Sequence, residues 1–426
     1  MTDTCIIGAG PAGLAMARAL TSRGLPYTHL ERHAELGGLW NIDSPGTPMY
    51  ESAHFISSRT MSAFDSYPMP DTYPDYPSQR QVLGYLKGFA DTYDLTDAIE
   101  FNTEVTHVEA TDDGRWRVTR ADARTSEHDN VVAASGVLWY PNEPSLPGHY
   151  TGEVRHSVTY RSPGELKGRR VLVVGAGNSG CDIACDAATA ADHAVISVRR
   201  GYWFIPKHIL GVPSDVFGAS GPPMPMWLEQ RVFGALLRVL VGDLTKLGLP
   251  KPDHKLFETH PILNDQLLHH LRHGDVTARP AIATTDGTTV TFTDGSTEGV
   301  DLILLATGYR HAVPYAQGYF GGEQHPDLYL NGFSKHPGLF GMFIETNASA
   351  FPLLDQLAGL IAAHIDDRQH HPDRYASLRD RIEHDRPDLS GGIRFVDSPR
   401  HRGYVDSTAY RHQLTKVARE LGHDQR

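Results

Sequence analysis

Apolar and polar residues follow each other in blocks along the chain, and two of these blocks share one order of elements. Residues 4–31 begin with a short apolar run, pass through a glycine-rich turn into a helical run, and end in a second apolar run. Residues 170–200 repeat this order. Strand–turn–helix–strand blocks are typical of Rossmann units, in which parallel strands alternate with helices. The pattern therefore predicts an α/β protein with two separate Rossmann-like domains.

The remaining segments have less regular patterns. A helix is expected near 79–93, an antiparallel β region over 104–120, and apolar strands over 130–135 and 301–308. Residues 211–225 are dense in Gly and Pro and predict a loop, which is either a lid over a substrate or a surface insertion. Residues 353–422 are expected to be largely helical, with charged, solvated faces.

Composition excludes several classes of partner. The net charge is -12, from 39 basic and 51 acidic residues, and this argues against nucleic acid or an anionic membrane as a partner. No apolar run approaches the length of a membrane span, and the apolar start lacks the basic region of a signal peptide. We therefore expect a cytoplasmic protein. Cys5, Cys181 and Cys185 form no CxxC pair, so packing roles are expected and a metal site is not.

The first glycine-rich turn has the spacing G-x-G-x-x-G directly after an apolar strand. The first glycine permits the tight turn, the second lets the backbone approach a pyrophosphate, and the third lets helix and strand pack closely. Glu31 ends the second strand, where a carboxylate can accept hydrogen bonds from ribose hydroxyls. The predicted dinucleotide site consists of Gly8, Gly10, Pro11, Ala12, Gly13, Glu31 and Arg32.

The second turn repeats the spacing but differs at the end of its second strand. Arg199 and Arg200 stand where the first block has Glu31. A carboxylate there would repel a 2′-phosphate, whereas an arginine can pair with it; a solvated turn is the alternative interpretation. The contrast predicts FAD at the first turn and NADPH at the second. The predicted NADPH site consists of Gly175, Gly177, Asn178, Ser179, Gly180, Arg199 and Arg200.

Further motifs resemble those of the flavin-containing monooxygenase family. Residues 37–40 match its G-G-x-W turn, and residues 177–180 match its G-N-S-G. Residues 150–160 resemble the fingerprint F-x-G-x-x-x-H-x-x-x-(Y/F), with Tyr150 in place of the first Phe, and residues 306–309 match A-T-G-Y. The resemblance implies further cofactor-binding residues, namely Gly38, Leu39, Trp40, Val105, Thr307 and Gly308.

The resemblance also implies a domain arrangement and a reaction. An FAD-binding domain of residues 1–160 and 300–426 would be interrupted by an NADP-binding domain of residues 161–299. NADPH would reduce FAD, O2 would form a C4a-hydroperoxyflavin, and a nucleophilic nitrogen or sulfur of a small molecule would be oxygenated. Family members are often dimers, so a homodimer is expected.

The residues implied to act near the reaction are Ser57, His156 and Asn178. His156 is expected to help place the NADP domain rather than to act as a base. Many family members carry an asparagine beside the flavin at the position of Ile56, which cannot donate a hydrogen bond. Either Ser57 takes that role, or NADP+ and a dry pocket do. An uncoupled NADPH oxidase therefore stays an alternative.

Competing functional classes would carry different sequence markers. Baeyer–Villiger relatives have a tryptophan followed by Pro or Asp at the end of the linking fingerprint, whereas this chain has Tyr160 and Arg161. This difference favours oxygenation of nitrogen or sulfur. A flavin reductase would need a redox cysteine pair. A non-catalytic nucleotide sensor would not need two turns with different ribose partners.

Overall fold

A computed structural model describes residues 3–222, 224–321, 325–398 and 401–423. Parts of the predicted ranges 1–160, 211–225, 300–426 and 353–422 therefore lie outside the described residues. The strands, in chain order, are β1 (Thr4–Ile7), β2 (Tyr27–Leu30), β3 (Ile99–Glu100), β4 (Val105–Ala110), β5 (Trp116–Arg120), β6 (Thr125–His128), β7 (Asn130–Ala133), β8 (Tyr140–Pro141), β9 (Gly148–Tyr150), β10 (Glu153–His156), β11 (Arg170–Val174), β12 (His193–Ser197), β13 (His208–Ile209), β14 (Val212–Pro213), β15 (Thr277–Arg279), β16 (Ile282–Gly287), β17 (Thr289–Phe292), β18 (Thr297–Gly299), β19 (Leu302–Leu305), β20 (Tyr309–Arg310), β21 (Leu339–Gly341), β22 (Glu345–Thr346) and β23 (Tyr404–Val405).

The helices, in chain order, are α1 (Pro11–Thr21), α2 (Gln79–Thr92), α3 (Asn178–Ala190), α4 (Ser214–Ala219), α5 (Met226–Val241), α6 (Gln266–His273), α7 (Gln317–Phe320), α8 (Phe351–His370), α9 (Pro372–His384) and α10 (Ser407–Glu420). Within the described part of the chain, none of these helices combines the length and the apolar character that crossing a membrane requires.

The chain folds into two compact units. The first comprises the described residues up to Thr47, Arg59–Tyr140 and those from Arg310 onward; the second comprises Pro48–Ser58 and Pro141–Tyr309. Residues 141–160 and 300–309, which the predicted boundaries gave to the first part, belong to the second unit because β10 and β19 pair with each other beside β11. The assignment of each part to a cofactor stays a prediction.

The first unit is built on a parallel sheet with strand order β21-β7-β1-β2-β3. Every residue of β1 and of β7 is buried, as expected for central strands covered on both faces. Pro11 opens α1 at its first turn, where the absent N–H costs no helical bond. The hairpin sheet β4-β5-β6 forms over the region predicted to be antiparallel.

The second unit repeats this layout with strand order β10-β19-β11-β12-β15, again all parallel. In each unit the strand before the glycine turn is therefore the central strand, with the following strand on one side. The prediction of two separate Rossmann-like units is confirmed. Cys181 and Cys185 are free thiols on the buried face of α3, which confirms their packing role.

The structure corrects the loop predicted over 211–225. A short hairpin, β13 paired with β14, leads into the helix α4. The helix begins directly after Pro213, and the hydroxyl of Ser214 donates to the backbone carbonyl of Pro206. Proline preceding a first turn is compatible with a helix start, so high Pro and Gly content alone did not distinguish this element from a loop.

Candidate cofactor-binding site

The first glycine turn, residues 8–13 between β1 and α1, is closed by contacts that exclude side chains at two positions. Gly8 has φ +106°, and a Cβ there would lie 2.7 Å from the carbonyl oxygen of Ala134. A Cβ on Gly13 would overlap the carbonyl oxygen of Gly8. These two glycines are therefore required by the protein's own packing.

Gly10 differs, because nothing within the described protein requires a glycine there. Its backbone angles, φ −80° and ψ −172°, suit any residue. The nearest atom to an added Cβ would be the Cα of Gly38, at an ordinary contact distance of 3.5 Å. The open face of this turn therefore fits a group that approaches the backbone closely. The N–H groups of the first helical turn have no helical partners and favour an anion there.

Glu31 is buried and holds the turn to the end of β2. One carboxylate oxygen accepts from the amide of Ala9 at 2.6 Å, and the other accepts from the amide of His33 at 2.8 Å. The His33 ring also lies 3.3 Å from the second oxygen. Burial disfavours the charged form, yet these hydrogen bonds outweigh it and hold the pKa of Glu31 below its ordinary value. A carboxylate has about four acceptor positions, so about one remains for a ribose hydroxyl.

The predicted G-G-x-W turn packs against the first glycine turn. The amide of Gly37 donates to the carbonyl of Ala9 at 2.9 Å, and Gly38 to Trp40 form a 3₁₀ turn. A Cβ on Gly38 would lie 2.9 Å from the Cα of Gly10. Leu39, within that turn, has its carbonyl bonded by Thr47 at 2.7 Å.

The other predicted residues of the first unit are less directly placed. Arg32, the residue after Glu31, is exposed and stacks over Trp139, with its guanidinium carbon 4.2 Å from the ring centre. Pro11 and Ala12 form the first turn of α1. Val105 begins β4 and is buried in the hydrophobic core, so its side chain serves packing.

The second glycine turn, residues 175–180 between β11 and α3, has the same construction. Gly175 has φ +109°, and a Cβ there would lie 2.5 Å from the carbonyl oxygen of Ala306. A Cβ on Gly180 would overlap the carbonyl oxygen of Gly175. Gly177 has φ −72° and ψ 176°, and nothing lies within 4 Å of an added Cβ. This turn therefore also leaves its middle glycine open for a close approach.

Asn178 and Ser179 form the first turn of α3. The side-chain oxygen of Asn178 is buried and has no hydrogen-bond partner among the described residues. A buried acceptor without a partner is costly. A ligand hydroxyl or amide donor at this helix end would satisfy it, which fits a nucleotide cofactor. Ser179 contacts the hydroxyl of Tyr50.

Cationic side chains lie beyond the end of β12. Arg199 is exposed and Arg200 is partly buried, and within the described residues Arg199 has no hydrogen-bond or ion-pair partner. Nearby Arg279, in contrast, is held by Glu298 at 2.7 Å. A Cβ on Gly201 would overlap the backbone of Lys251. The backbone of Lys251 therefore lies against the residue that follows Arg200, a contact that the sequence did not predict.

The A-T-G-Y segment lies against the second glycine turn. Gly308 has φ +82°, and its carbonyl accepts from Nε2 of His156 at 3.1 Å. The Oγ of Thr307 donates to the carbonyl of Asn142 at 2.5 Å. Nδ1 of His156 accepts from the amide of Val158 at 3.1 Å. His156 therefore has both ring nitrogens occupied and acts as a structural tie.

An equivalent segment in the first unit was missed. Ser135 and Gly136 follow β7 as Thr307 and Gly308 follow β19, and Gly136 has φ +77°. The hydroxyl of Tyr315 lies 3.0 Å from that of Ser135. The repeated pattern of an apolar strand, alanine, a hydroxyl residue and glycine was the available signal.

Ser57 lies in segment 48–58, which belongs to the second unit. Ser57 and Ser58 are buried, and Ile56 is partly buried. The structure brings the remaining predicted residues into two groups, one around each glycine turn.

Fold and site together define a protein with two Rossmann-type dinucleotide-binding turns. The model of the family described as flavin-binding monooxygenase-like matches residues 2–321. The chain therefore belongs to this family.

Individual proteins are similar over most of this chain. Flavin-containing monooxygenase 3 of Macaca mulatta is 35% identical over 342 residues, which cover 73% of this chain and 62% of that protein. The N-oxide-forming dimethylaniline monooxygenase 2 of Oryctolagus cuniculus is 30% identical with the same coverage. The chain thus spans less than two thirds of the length of these two relatives. The solved structure of oxidized steroid monooxygenase bound to NADP has a TM-score of 0.73 at 20% identity, over 100% of this chain and 99% of that one, and shows the same fold.

Proposed function

We propose that this protein is an FAD- and NADPH-dependent monooxygenase that oxygenates a nucleophilic nitrogen or sulfur of a small molecule. The observation that carries the proposal is the pair of equivalent glycine turns that end in opposite charges, Glu31 in one and Arg199 in the other. Membership of the flavin-binding monooxygenase-like family supports the same conclusion.

FAD is assigned to the first unit. The open face at Gly10 admits a pyrophosphate, and ionised Glu31 offers about one acceptor position to a ribose hydroxyl. Gly38, in the adjoining 3₁₀ turn, keeps this face open, because a side chain at that position would contact the Cα of Gly10. NADPH is assigned to the second unit. Gly177 is open in the same way, and Asn178 offers a buried acceptor that has no partner in the described part of the chain.

Arg199 is the residue that selects NADPH over NADH in this proposal. A guanidinium without a protein partner can pair with a 2′-phosphate, and that contact is stronger than one between neutral groups. Arg200, the next residue, adds a second positive charge to this segment. NADH carries no phosphate at that position and would gain little from these cations.

The bound cofactors supply hydride transfer and oxygen activation, while the chain binds, orients and excludes water. His156 has no free ring nitrogen, and burial lowers its pKa, so it holds the Gly308 turn and does not move a proton. Ser57 is proposed to take the role of the asparagine that many family members carry at the position of Ile56, since Ile56 offers no donor.

Heteroatom oxygenation is favoured over Baeyer–Villiger chemistry by two observations. The linking fingerprint ends in Tyr160 and Arg161, where Baeyer–Villiger relatives carry a tryptophan. One relative is named for forming N-oxides. Cytoplasmic location and a homodimer stay predictions, and cell fractionation and sedimentation would test them.

The test offers the purified protein a sulfide and a cyclic ketone in parallel with NADPH, and identifies products by mass. We expect a sulfoxide, flavin absorbance that NADPH bleaches and air restores, and no lactone. A lactone with the sulfide untouched would overturn the heteroatom assignment. NADPH consumption decides nothing alone, because an uncoupled flavin also consumes it. The matched control omits NADPH.

A further inference from the structure

Segment 48–58 interrupts the first unit in sequence but folds with the second unit. Three aspartates of the second unit accept hydrogen bonds from it. Asp182 accepts from the hydroxyl of Tyr50 at 2.9 Å, and Asp186 accepts from the hydroxyl of Ser52 at 2.6 Å. Asp215 accepts from the backbone amide of Ser58 at 2.6 Å. The contacts are spread over the whole length of the segment.

The two helix α3 aspartates also reach other parts of the second unit. Asp182 accepts a hydrogen bond at 2.8 Å from the side-chain amide of Asn264, which lies just before α6. Asp186 accepts from the hydroxyl of Tyr160 at 2.8 Å. The rings of Tyr50 and Tyr160 pack together with centres 5.8 Å apart. Each carboxylate therefore joins segment 48–58 to a second element.

Backbone contacts add to this arrangement. The amide of Glu51 donates to the carbonyl of Arg161 at 2.8 Å, and the guanidinium of Arg161 donates to the carbonyl of Met49 at 3.2 Å. The residues at the end of the linking fingerprint thus hold the start of the segment.

The chemistry of these carboxylates is costly for packing alone. Asp182 and Asp186 lie one helical turn apart, and their hydrogen-bond donors are hydroxyls and an amide rather than cations. Burial raises the pKa of both carboxyls. Apolar residues would fill such a helix face at lower cost, whereas directional acceptors fix one arrangement of their partners.

We infer that Asp182, Asp186 and Asp215 are positioning residues that fix segment 48–58, and with it Ser57, on the unit that carries the second glycine turn. The inference rests on the proposed function for its catalytic meaning. Asp182 stands four residues after Asn178 on the same helix, so the segment is anchored close to the proposed NADPH site. Placement of Ser57 is therefore linked to NADP+ binding.

The test uses the FAD-loaded full chain and hydrogen–deuterium exchange read by mass spectrometry, with and without NADP+. Tyr50→Phe removes the hydroxyl that donates to Asp182 while keeping the ring in the core, and Ser52→Ala removes the hydroxyl that donates to Asp186. We expect exchange in segment 48–58 to become about tenfold faster in each variant, the effect of one lost bond to a charged acceptor. In the unchanged protein, NADP+ should slow exchange in this segment together with that in α3.

The matched control is Tyr410→Phe, because Tyr410 is also buried and donates to the carbonyl of Leu330 at 2.6 Å within the first unit. It should leave exchange in segment 48–58 unchanged. The catalytic readout is the fraction of consumed NADPH that appears as hydrogen peroxide, which should rise in Ser52→Ala and stay unchanged in Tyr410→Phe.

Unchanged exchange in segment 48–58 in both variants would overturn the inference. Faster exchange with an unchanged peroxide fraction would also overturn it, because the segment would then be structural only. If the unchanged protein consumed no NADPH, the proposed function would fail, while the exchange data would still decide whether the aspartates hold the segment.

Discussion

The two glycine turns have nearly the same backbone and different surroundings. Both leave the middle glycine open and close the first and third against protein atoms. They differ at the end of the following strand, where the first turn has Glu31 bonded to the turn's amide at Ala9 and the second has Arg199, which has no partner among the residues that the structure describes. In the proposed assignment, both turns bind a dinucleotide, and the single position at the strand end selects which one.

The carboxylates of the two units differ as well. Glu31 receives amide and imidazole donors that keep it ionised, so its charge is available at the turn. The hydrogen bonds described for Asp182 and Asp186 come from neutral donors, with Lys207 as a favourable charge near Asp182, and burial opposes the charge of both carboxylates. A carboxylate near a glycine turn can therefore face a bound ligand or hold elements of the protein together. The hydrogen-bond donors around the carboxylate indicate which of these two roles it has.

The largest expected effect comes from alanine at the third glycine of either turn. Gly13→Ala and Gly180→Ala would each force a Cβ into a backbone carbonyl, a strain of about 3 kcal/mol or more. We expect a large fall in melting temperature or loss of soluble protein, read by calorimetry. Gly359→Ala is the control, because nothing lies near an added Cβ there. Normal melting of one variant alone would break the equivalence of the turns, and normal melting of both would contradict the backbone overlap.

The second prediction tests whether the two turns bind different cofactors. Gly10→Ala should leave the apo-protein's melting temperature nearly unchanged, since the added Cβ meets only ordinary contacts, yet reduce bound flavin strongly. Gly177→Ala should keep the flavin and weaken NADPH binding. Flavin absorbance per chain measures the bound flavin, and titration with NADPH measures NADPH binding. A full flavin load in Gly10→Ala would show that the first turn does not hold FAD.

Much of this comparison could be predicted from the sequence. The two G-x-G-x-x-G spacings, the strand–turn–helix order and the residues Glu31 and Arg199 predicted both units, because backbone geometry at these turns leaves little choice of residue. The contacts of Glu31 with Ala9 and His33 were not predictable, since they depend on side-chain placement around the turn.

Further features arise only in three dimensions. The backbone of Lys251 lies against Gly201. This contact could not be predicted, because the two residues are far apart in sequence. Segment 48–58 leaves the first unit because Tyr50 and Ser52 meet carboxylates far along the chain. Periodicity describes local elements and does not reveal such pairings.

The third prediction sharpens the difference at the strand ends. Arg199→Ala removes a charge-assisted contact of about 1.5–3 kcal/mol, so the KM for NADPH should rise roughly ten- to a hundredfold. The KM for NADH should hardly change. Steady-state kinetics with both cofactors measure this, with Arg238→Ala on α5 as a charge-matched control in the same unit. Equal losses with both cofactors would contradict the assignment of Arg199 to the 2′-phosphate.

The smallest expected effect is a pH dependence of stability, which follows from the opposite pKa shifts of Glu31 and Asp186. The native pKa of Glu31 is lowered, so its ionisation stabilises the fold above the ordinary glutamate value of about 4.3 and that contribution is lost as pH falls. The native pKa of Asp186 is raised, so between its ordinary value of about 3.9 and its native value the native state binds more protons. Its contribution therefore decreases as pH rises.

Two variants that lack the carboxylate charge test these two pH trends separately. Relative to the unchanged protein, within the range from about pH 3 to about pH 7, Glu31→Gln should lose stability as pH rises toward about 4.3, whereas Asp186→Asn should gain it as pH rises above about 3.9. Chemical unfolding of the apo-protein across this range gives both trends without any cofactor contribution. Each trend should amount to a small change in the unfolding midpoint, because most of the pH dependence comes from other groups. Parallel trends in the two variants would mean that the carboxylates of the two units have the same environment, and the distinction drawn between a ligand-facing and a protein-facing carboxylate would be wrong.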